Sequence, residues 1–164
     1  MNRIVLVMLV GAQWVSAQNA WTDRSRILPD KLRNIPNGLV LNHSPNPNYP
    51  EFTNEKNGPK YKWEHATCIV AMMPGLKVVE VGSFIWTENG WITNMSLKGK
   101  QFRQRFNSKK NLLDPGVTYC YEKNTRFGNT LYGGDALWFV LAEDEDGNSY
   151  KGIGIIETEG TLKN

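Results

Sequence analysis

Only two cysteines and two histidines occur among the 164 residues. Two cysteines are too few for a disulfide-dense miniprotein or a cysteine-only zinc site. With His43 and His65 far apart in the chain, a histidine-based metal or hydrolase motif also has little to work with. No Gly-x-Ser-x-Gly, His-Glu-x-x-His or phosphate loop is present. No internal repeat appears, and no stretch reaches the ~18–20 apolar residues of a membrane-spanning helix. Helical periodicity over ten or more residues is missing too, which argues against a doubly wound α/β fold. Net charge is only +3, too small for a wholesale nucleic-acid binder.

What is there begins with an address. Arg3 and the apolar run Ile4–Val10, followed by Val15-Ser16-Ala17, read as a secretory signal over residues 1–17. Cys68 and Cys120 are then expected to form one bridge in an oxidising compartment. The triplets Asn42-His43-Ser44 and Asn94-Met95-Ser96 are glycosylation acceptors in form. Pro45 weakens the first, so Asn94 is the candidate.

Residues 18–59 read as an irregular, Pro- and Asn-rich N-terminal segment, with the domain proper at 60–164. Within the segment, Pro29-Asp30 starts one helical turn over Asp30–Asn34, and Gly38–Asn42 suits a short strand. Asn42–Pro50 favours an extended strap laid over the domain or a loop at its mouth.

From Lys60 the hydrophobic period becomes two. Strand-like runs cover Trp63–Met73, Lys77–Thr87, Trp91–Lys98, Gln101–Phe106, Val117–Glu122, Ala136–Ala142 and Tyr150–Glu157. Glu88-Asn89-Gly90 signals a hairpin. Seven or eight strands with regular turn signals predict an all-β sandwich or barrel. Ala136–Ala142 is apolar at every position and so belongs at the sheet centre, with Leu137, Phe139 and Leu141 opposite Trp138. Gly152 and Gly154 leave room on the last strand for another backbone or a ligand. The Cys–Trp–Cys spacing and the residue at 118 do not fit an immunoglobulin domain, and the start and end of the chain do not fit a lipocalin.

Three constellations merit functional weight. Lys98, Lys100, Arg103, Arg105, Lys109 and Lys110 form a run without a negative charge. On a strand, Arg103 and Arg105 share a face opposite Phe102 and Phe106, and guanidinium forks suit sulfate, carboxylate or phosphate. Trp86 and Trp91 flank the hairpin tip and offer flat faces for sugar rings. Asp144-Glu145-Asp146-Gly147-Asn148 resembles half a calcium loop, but Ser149 and Ile155 stand where glycine and glutamate are required.

The resulting expectation is a secreted, non-enzymatic binding protein recognising glycans or anionic surfaces through Arg103, Arg105, Lys98, Lys100, Trp86 and Trp91. No metal, cofactor, nucleic acid or transmembrane segment is implied. The alternatives are a carrier of a small apolar ligand inside a barrel lined by Phe84, Trp138 or Phe139, and a small hydrolase or lyase using His65 or a carboxylate. Sequence leaves the oligomeric state open.

Overall fold

A computed structural model describes residues 26–163. The leader expected at 1–17 lies outside the described residues. Eight strands and two short helices follow in the order α1 (Asp30–Arg33), β1 (Leu39–Ser44), β2 (Glu51–Phe52), β3 (Tyr61–Ala71), β4 (Lys77–Thr87), β5 (Gly90–Leu97), α2 (Lys100–Arg105), β6 (Thr118–Gly128), β7 (Gly134–Glu143) and β8 (Ser149–Thr158). They build a two-sheet sandwich and not a closed barrel. One sheet has the order β5-β4-β7-β8. In the other, β6 runs along one edge of β3, and β1 and β2 lie in line along its other edge.

Strict alternation makes β3 the wall of the interior. Tyr61, Trp63, His65, Thr67, Ile69 and Ala71 are all buried. Across from them, β7 sends Ala136, Trp138, Val140 and Ala142 into the same core, with Leu39 and Leu41 of β1. Leu137, Phe139 and Leu141 point the other way and form a second cluster with Phe84. That cluster is covered by Leu28, Leu32 and Ile35 of the N-terminal segment. Burial on both faces is why β7 tolerates no polar residue between Ala136 and Ala142.

The segment expected to be irregular is therefore partly structural. Asp30–Arg33 forms the expected helical turn, and Leu32 on it is fully buried. Lys31 pairs with Glu80 at 2.6 Å and lies 4.8 Å over the Phe139 ring. β1 and β2 from the same segment hydrogen-bond into a sheet. Between them the Ser44–Pro45 and Asn46–Pro47 peptide bonds are cis. Asn48 turns inward there, donating its N–H to Glu157 O (2.8 Å) and accepting from Glu159 N (2.9 Å). Gly38 N to Lys151 O (3.0 Å) and Lys151 N to Pro36 O (2.8 Å) tie the other end of β1 to β8. These bonds form a seam that closes one side of the sandwich.

Gly152 and Gly154 carry the middle of that seam. The backbone they leave room for is β1. A Cβ at Gly154 would stand 2.7 Å from Leu41 O, and one at Gly152 would stand 2.8 Å from Leu39 O. Gly154→Ala is expected to destabilise the protein by roughly 2 kcal/mol, because a backbone oxygen has to retreat. A urea midpoint equal to wild type would show that β1 does not lie against β8.

One expectation is overturned. Gln101–Phe106 is not a strand: Lys100–Arg105 is helical, and Phe106 N donates to Phe102 O at 2.9 Å. Among the described residues no ladder joins β5 and β6 on that side of the sandwich, and α2 plugs it with Phe102 and Phe106, 0% and 1% exposed. Residues four apart share one side of a helix as they share one face of a strand, so the phenylalanines satisfy both patterns. Lys, Gln and Arg, all good helix formers without β-branching, tip the segment to a helix.

Candidate functional site

Helical geometry rearranges the basic run. Two positions apart on a helix means a rotation of about 200°, so Arg103 and Arg105 diverge. Arg103 Nη1 donates to Asn111 Oδ1 at 2.9 Å. Arg105 Nη1 donates to the Tyr121 hydroxyl at 2.8 Å, and its guanidinium carbon lies 5.2 Å from that ring's centroid. Both guanidinium groups are thus oriented by uncharged partners, which leaves their charge for a ligand.

The lysines differ in their commitments. Lys110 lies 3.4 Å from Asp114 Oδ1. Lys98 stands 4.0 Å from Glu80 Oε2, but that carboxylate is already held by Lys31 and by Ser96 Oγ at 2.9 Å. Burial works to raise the Glu80 pKa. The hydrogen bonds from Lys31 and Ser96 and the charges of Lys31 and Lys98 outweigh it and hold the carboxyl below its ordinary value. Lys100 and Lys109 are exposed. Among the described residues no carboxylate forms an ion pair with Lys100, Arg103, Arg105 or Lys109.

Beside α2 runs a cleft of about 470 Å³ lined by Phe106, Asn107, Thr118, Tyr119, Cys120 and Glu122. Tyr121 packs edge-on to Phe106, with centroids 6.1 Å apart. Tyr119 donates its hydroxyl to Asp114 Oδ2 at 3.0 Å. The arrangement offers a positive helix with two oriented guanidinium donors, and the Arg105 guanidinium meets the aromatic Tyr121 beside the cleft.

The expected tryptophans are elsewhere. Trp86 and Trp91 are register partners beside the β4–β5 turn, in a T-shaped pair with centroids 4.8 Å apart. Trp86 is 5% exposed, and the Arg26 guanidinium lies 5.6 Å from its centroid. The length of β5, about 23 Å from Trp91 to Lys98 at the usual rise, separates the pair from the basic run. Tyr119, Tyr121 and Asn111 take the place that sequence reading gave to the tryptophans. Only the helix brings Asn111 and Tyr121 to the arginines, so strand reasoning had no route to them.

The remaining sequence candidates are also placed. Cys68 and Cys120 are register partners on β3 and β6 and form the disulfide. Asn94 is exposed at the bulge of the β5 edge and donates Nδ2 to Ser83 Oγ at 2.9 Å. The acidic loop is a hairpin tip. Asp144 Oδ1 accepts from the backbone of Asp146 (3.0 Å) and Asn148 (2.8 Å), and Oδ2 accepts from the Asn148 side chain (3.0 Å). The Asn148 side-chain bond leads in holding its carboxyl below the usual range. A carboxylate so occupied closes its own turn. Among the described residues, no three His, Cys, Asp or Glu side chains are grouped to hold a metal ion.

His43 and His65 meet inside the sandwich with ring centroids 5.4 Å apart. Their ring nitrogens face Thr67, Gly154 O, Asn48 and Asn124, all uncharged. Burial leads in pushing both down to about pKa 4, with the opposite imidazole and Arg126 adding to the effect at His65.

No helix among the described residues is long and apolar enough to cross a membrane. No family model matches the sequence, and no curated protein matches it. The chain is similar to a crystal structure of a Bordetella pertussis protein that carries the provisional name ApaA. The two share 15% identity with a TM-score of 0.48, over 76% of this chain and 96% of that one.

Proposed function

We propose that the protein is a secreted, non-enzymatic binding module that takes a sulfated glycan on α2 and the cleft beside it. The observation that carries this reading is the positive charge of Lys100, Arg103, Arg105 and Lys109 on and just after α2, unpaired among the described residues, with both guanidinium groups already oriented. Oriented donors bind sulfate with less ordering cost than free side chains do. The cleft supplies the half-buried Tyr119 ring, against which a sugar face can stack. The Cys68–Cys120 disulfide is compatible with an oxidising compartment. Glycosylation at the exposed Asn94 belongs to the same reading.

The carrier reading has less behind it. The space between the sheets is filled by Trp138, Ile69, Leu41 and Val140, each buried. A hydrolase reading needs an imidazole oriented by a carboxylate, and both histidines bond only to uncharged groups.

Binding to immobilised sulfated and unsulfated forms of one polysaccharide tests the proposal. Retention is expected on the sulfated form alone and is expected to weaken steeply with salt. Losing two charge-assisted contacts in the Arg103→Ala/Arg105→Ala variant is expected to cost about a hundredfold in affinity. Equal retention on both polymers would sink the reading. Binding to anionic vesicles but to neither polymer would replace the glycan with a lipid surface.

A further inference from the structure

The interior of the sandwich contains a chain of polar groups that a glycan-binding surface does not need. It crosses the protein from loop 45–50 to β8. Asn48, His65, Thr67 and Asn124 are buried, and His43 is half-buried among them. Asn124 Nδ2 lies 2.9 Å from Thr67 Oγ1 and 3.0 Å from His65 Nε2. His43 lies 3.1 Å from Thr67 Oγ1 through Nδ1 and 3.4 Å from Gly154 O through Nε2. Asn48 Nδ2 is 3.1 Å from His65 Nδ1.

Each link has one direction when both imidazoles are neutral. Gly154 O can only accept, so His43 Nε2 carries the proton and Nδ1 accepts. Thr67 then donates its hydroxyl to His43 Nδ1 and accepts from Asn124. The second Asn124 N–H goes to His65 Nε2, which accepts. His65 therefore carries its proton on Nδ1, and the Asn48 amide, placed with Nδ2 toward that atom, turns end for end to present its oxygen. All four ring nitrogens are then committed, and neither imidazole keeps a free lone pair for another proton. Adding a proton at His65 Nε2 sets it against an Asn124 N–H. Adding one at His43 Nδ1 sets it against the Thr67 O–H, so one link must reverse or break.

The two ends of this chain are the two sides of the seam. Asn48 is the residue whose backbone pairs with Glu157 and Glu159, and Gly154 lies between the two stitched ends of β8. Along β1 itself the seam rests on glycine packing against Leu39 and Leu41, with His43 as its hydrogen-bonding link. We propose that the two imidazoles form an acid-operated latch on this seam, shut at neutral pH and opened when either ring takes up a proton.

The charges around the latch favour that behaviour. β1 contributes His43 and β3 contributes His65, each opposing a charge on the other. β6 contributes Arg126, which also opposes protonation of His65. β7 and β8 contribute Trp138 and Gly154, neither of which titrates. Among the described residues no carboxylate acts on either ring to stabilise an imidazolium. Above about pH 6.5 the rings are neutral whether the seam is open or shut, and pH has no leverage. Between 6.5 and about 4 an opened ring protonates and a latched one does not. Each pH unit in that window favours the open state about tenfold, or about 300-fold across it for the first ring to charge.

The test uses the wild-type chain. With two histidines in the whole sequence, their ring resonances can be followed by NMR from pH 8 to 3.5. Amide exchange, corrected for its intrinsic pH dependence, is read alongside. Both rings are expected to stay neutral through pH 5. Seam amides of Gly38, Asn48, Lys151 and Glu159 are expected to lose up to about 300-fold protection by pH 4, while β4–β7 amides hold theirs. His65→Gln keeps a donor and an acceptor but does not titrate, so it is expected to reduce the loss. Rings titrating near 6.5, or protection falling equally in β4–β7 and the seam, would overturn the latch. If the variant does not fold, the wild-type profile decides alone.

Discussion

Phe102→Ala is expected to lower the free energy of unfolding by about 4 kcal/mol, within the range for truncating a fully buried phenylalanine. The ring is 0% exposed and stacks on Phe106 with centroids 5.3 Å apart. It fills the side of the sandwich where, among the described residues, no ladder joins β5 and β6. Little can collapse into the space, because the sheets on either side are held by their own hydrogen bonds. α2 is also too short to persist without its buried face. The same change should therefore unsettle Arg103 and Arg105 and weaken anion binding. Urea unfolding of the variant checks the first effect. A loss below about 1 kcal/mol would mean that the helix is not the plug described.

Removing the disulfide is expected to cost a similar amount. Cys68 and Cys120 are 52 residues apart, and closing a loop of that length constrains the unfolded chain by about 4 kcal/mol in the chain-entropy account. β6 depends on that link more than the inner strands do, since among the described residues its one ladder partner is β3. The Cys68→Ala/Cys120→Ala variant should unfold at a clearly lower urea concentration, with β6 amides the first to exchange. A midpoint within about 1 kcal/mol of wild type would show that the β3–β6 ladder suffices without the bond.

Much of the scaffold is legible in the sequence because its signals are local. The unbroken apolar run at Ala136–Ala142 can only be a strand buried on both faces. Asn89-Gly90 closes a hairpin, with Gly90 in the left-handed region at φ +88°. Gly152 and Gly154 announce a close approach by a backbone or a ligand, and β1 makes it. The candidate site is less legible. Phe102 and Phe106 fit period 2 and period 3.6 alike, so alternation alone cannot distinguish helix from strand. With that choice go the directions of Arg103 and Arg105 and their meeting with Asn111 and Tyr121. Likewise His43 and His65 are distant in sequence. The β1–β3 register, His43 opposite Thr67, is what brings the two rings together. Register depends on a whole ladder and leaves no mark near either histidine.

The proposed ligand surface is α2 and the cleft beside it. Mapping the amide shifts of the labelled protein on titration with a sulfated oligosaccharide, at low salt, tests it most directly. Shifts are expected to cluster at residues 98–111 and 118–122, to vanish at high salt, and to be lost in the Arg103→Ala/Arg105→Ala variant. Shifts centred on Trp86 and Trp91, or saturable binding that leaves residues 98–122 unmoved, would contradict it.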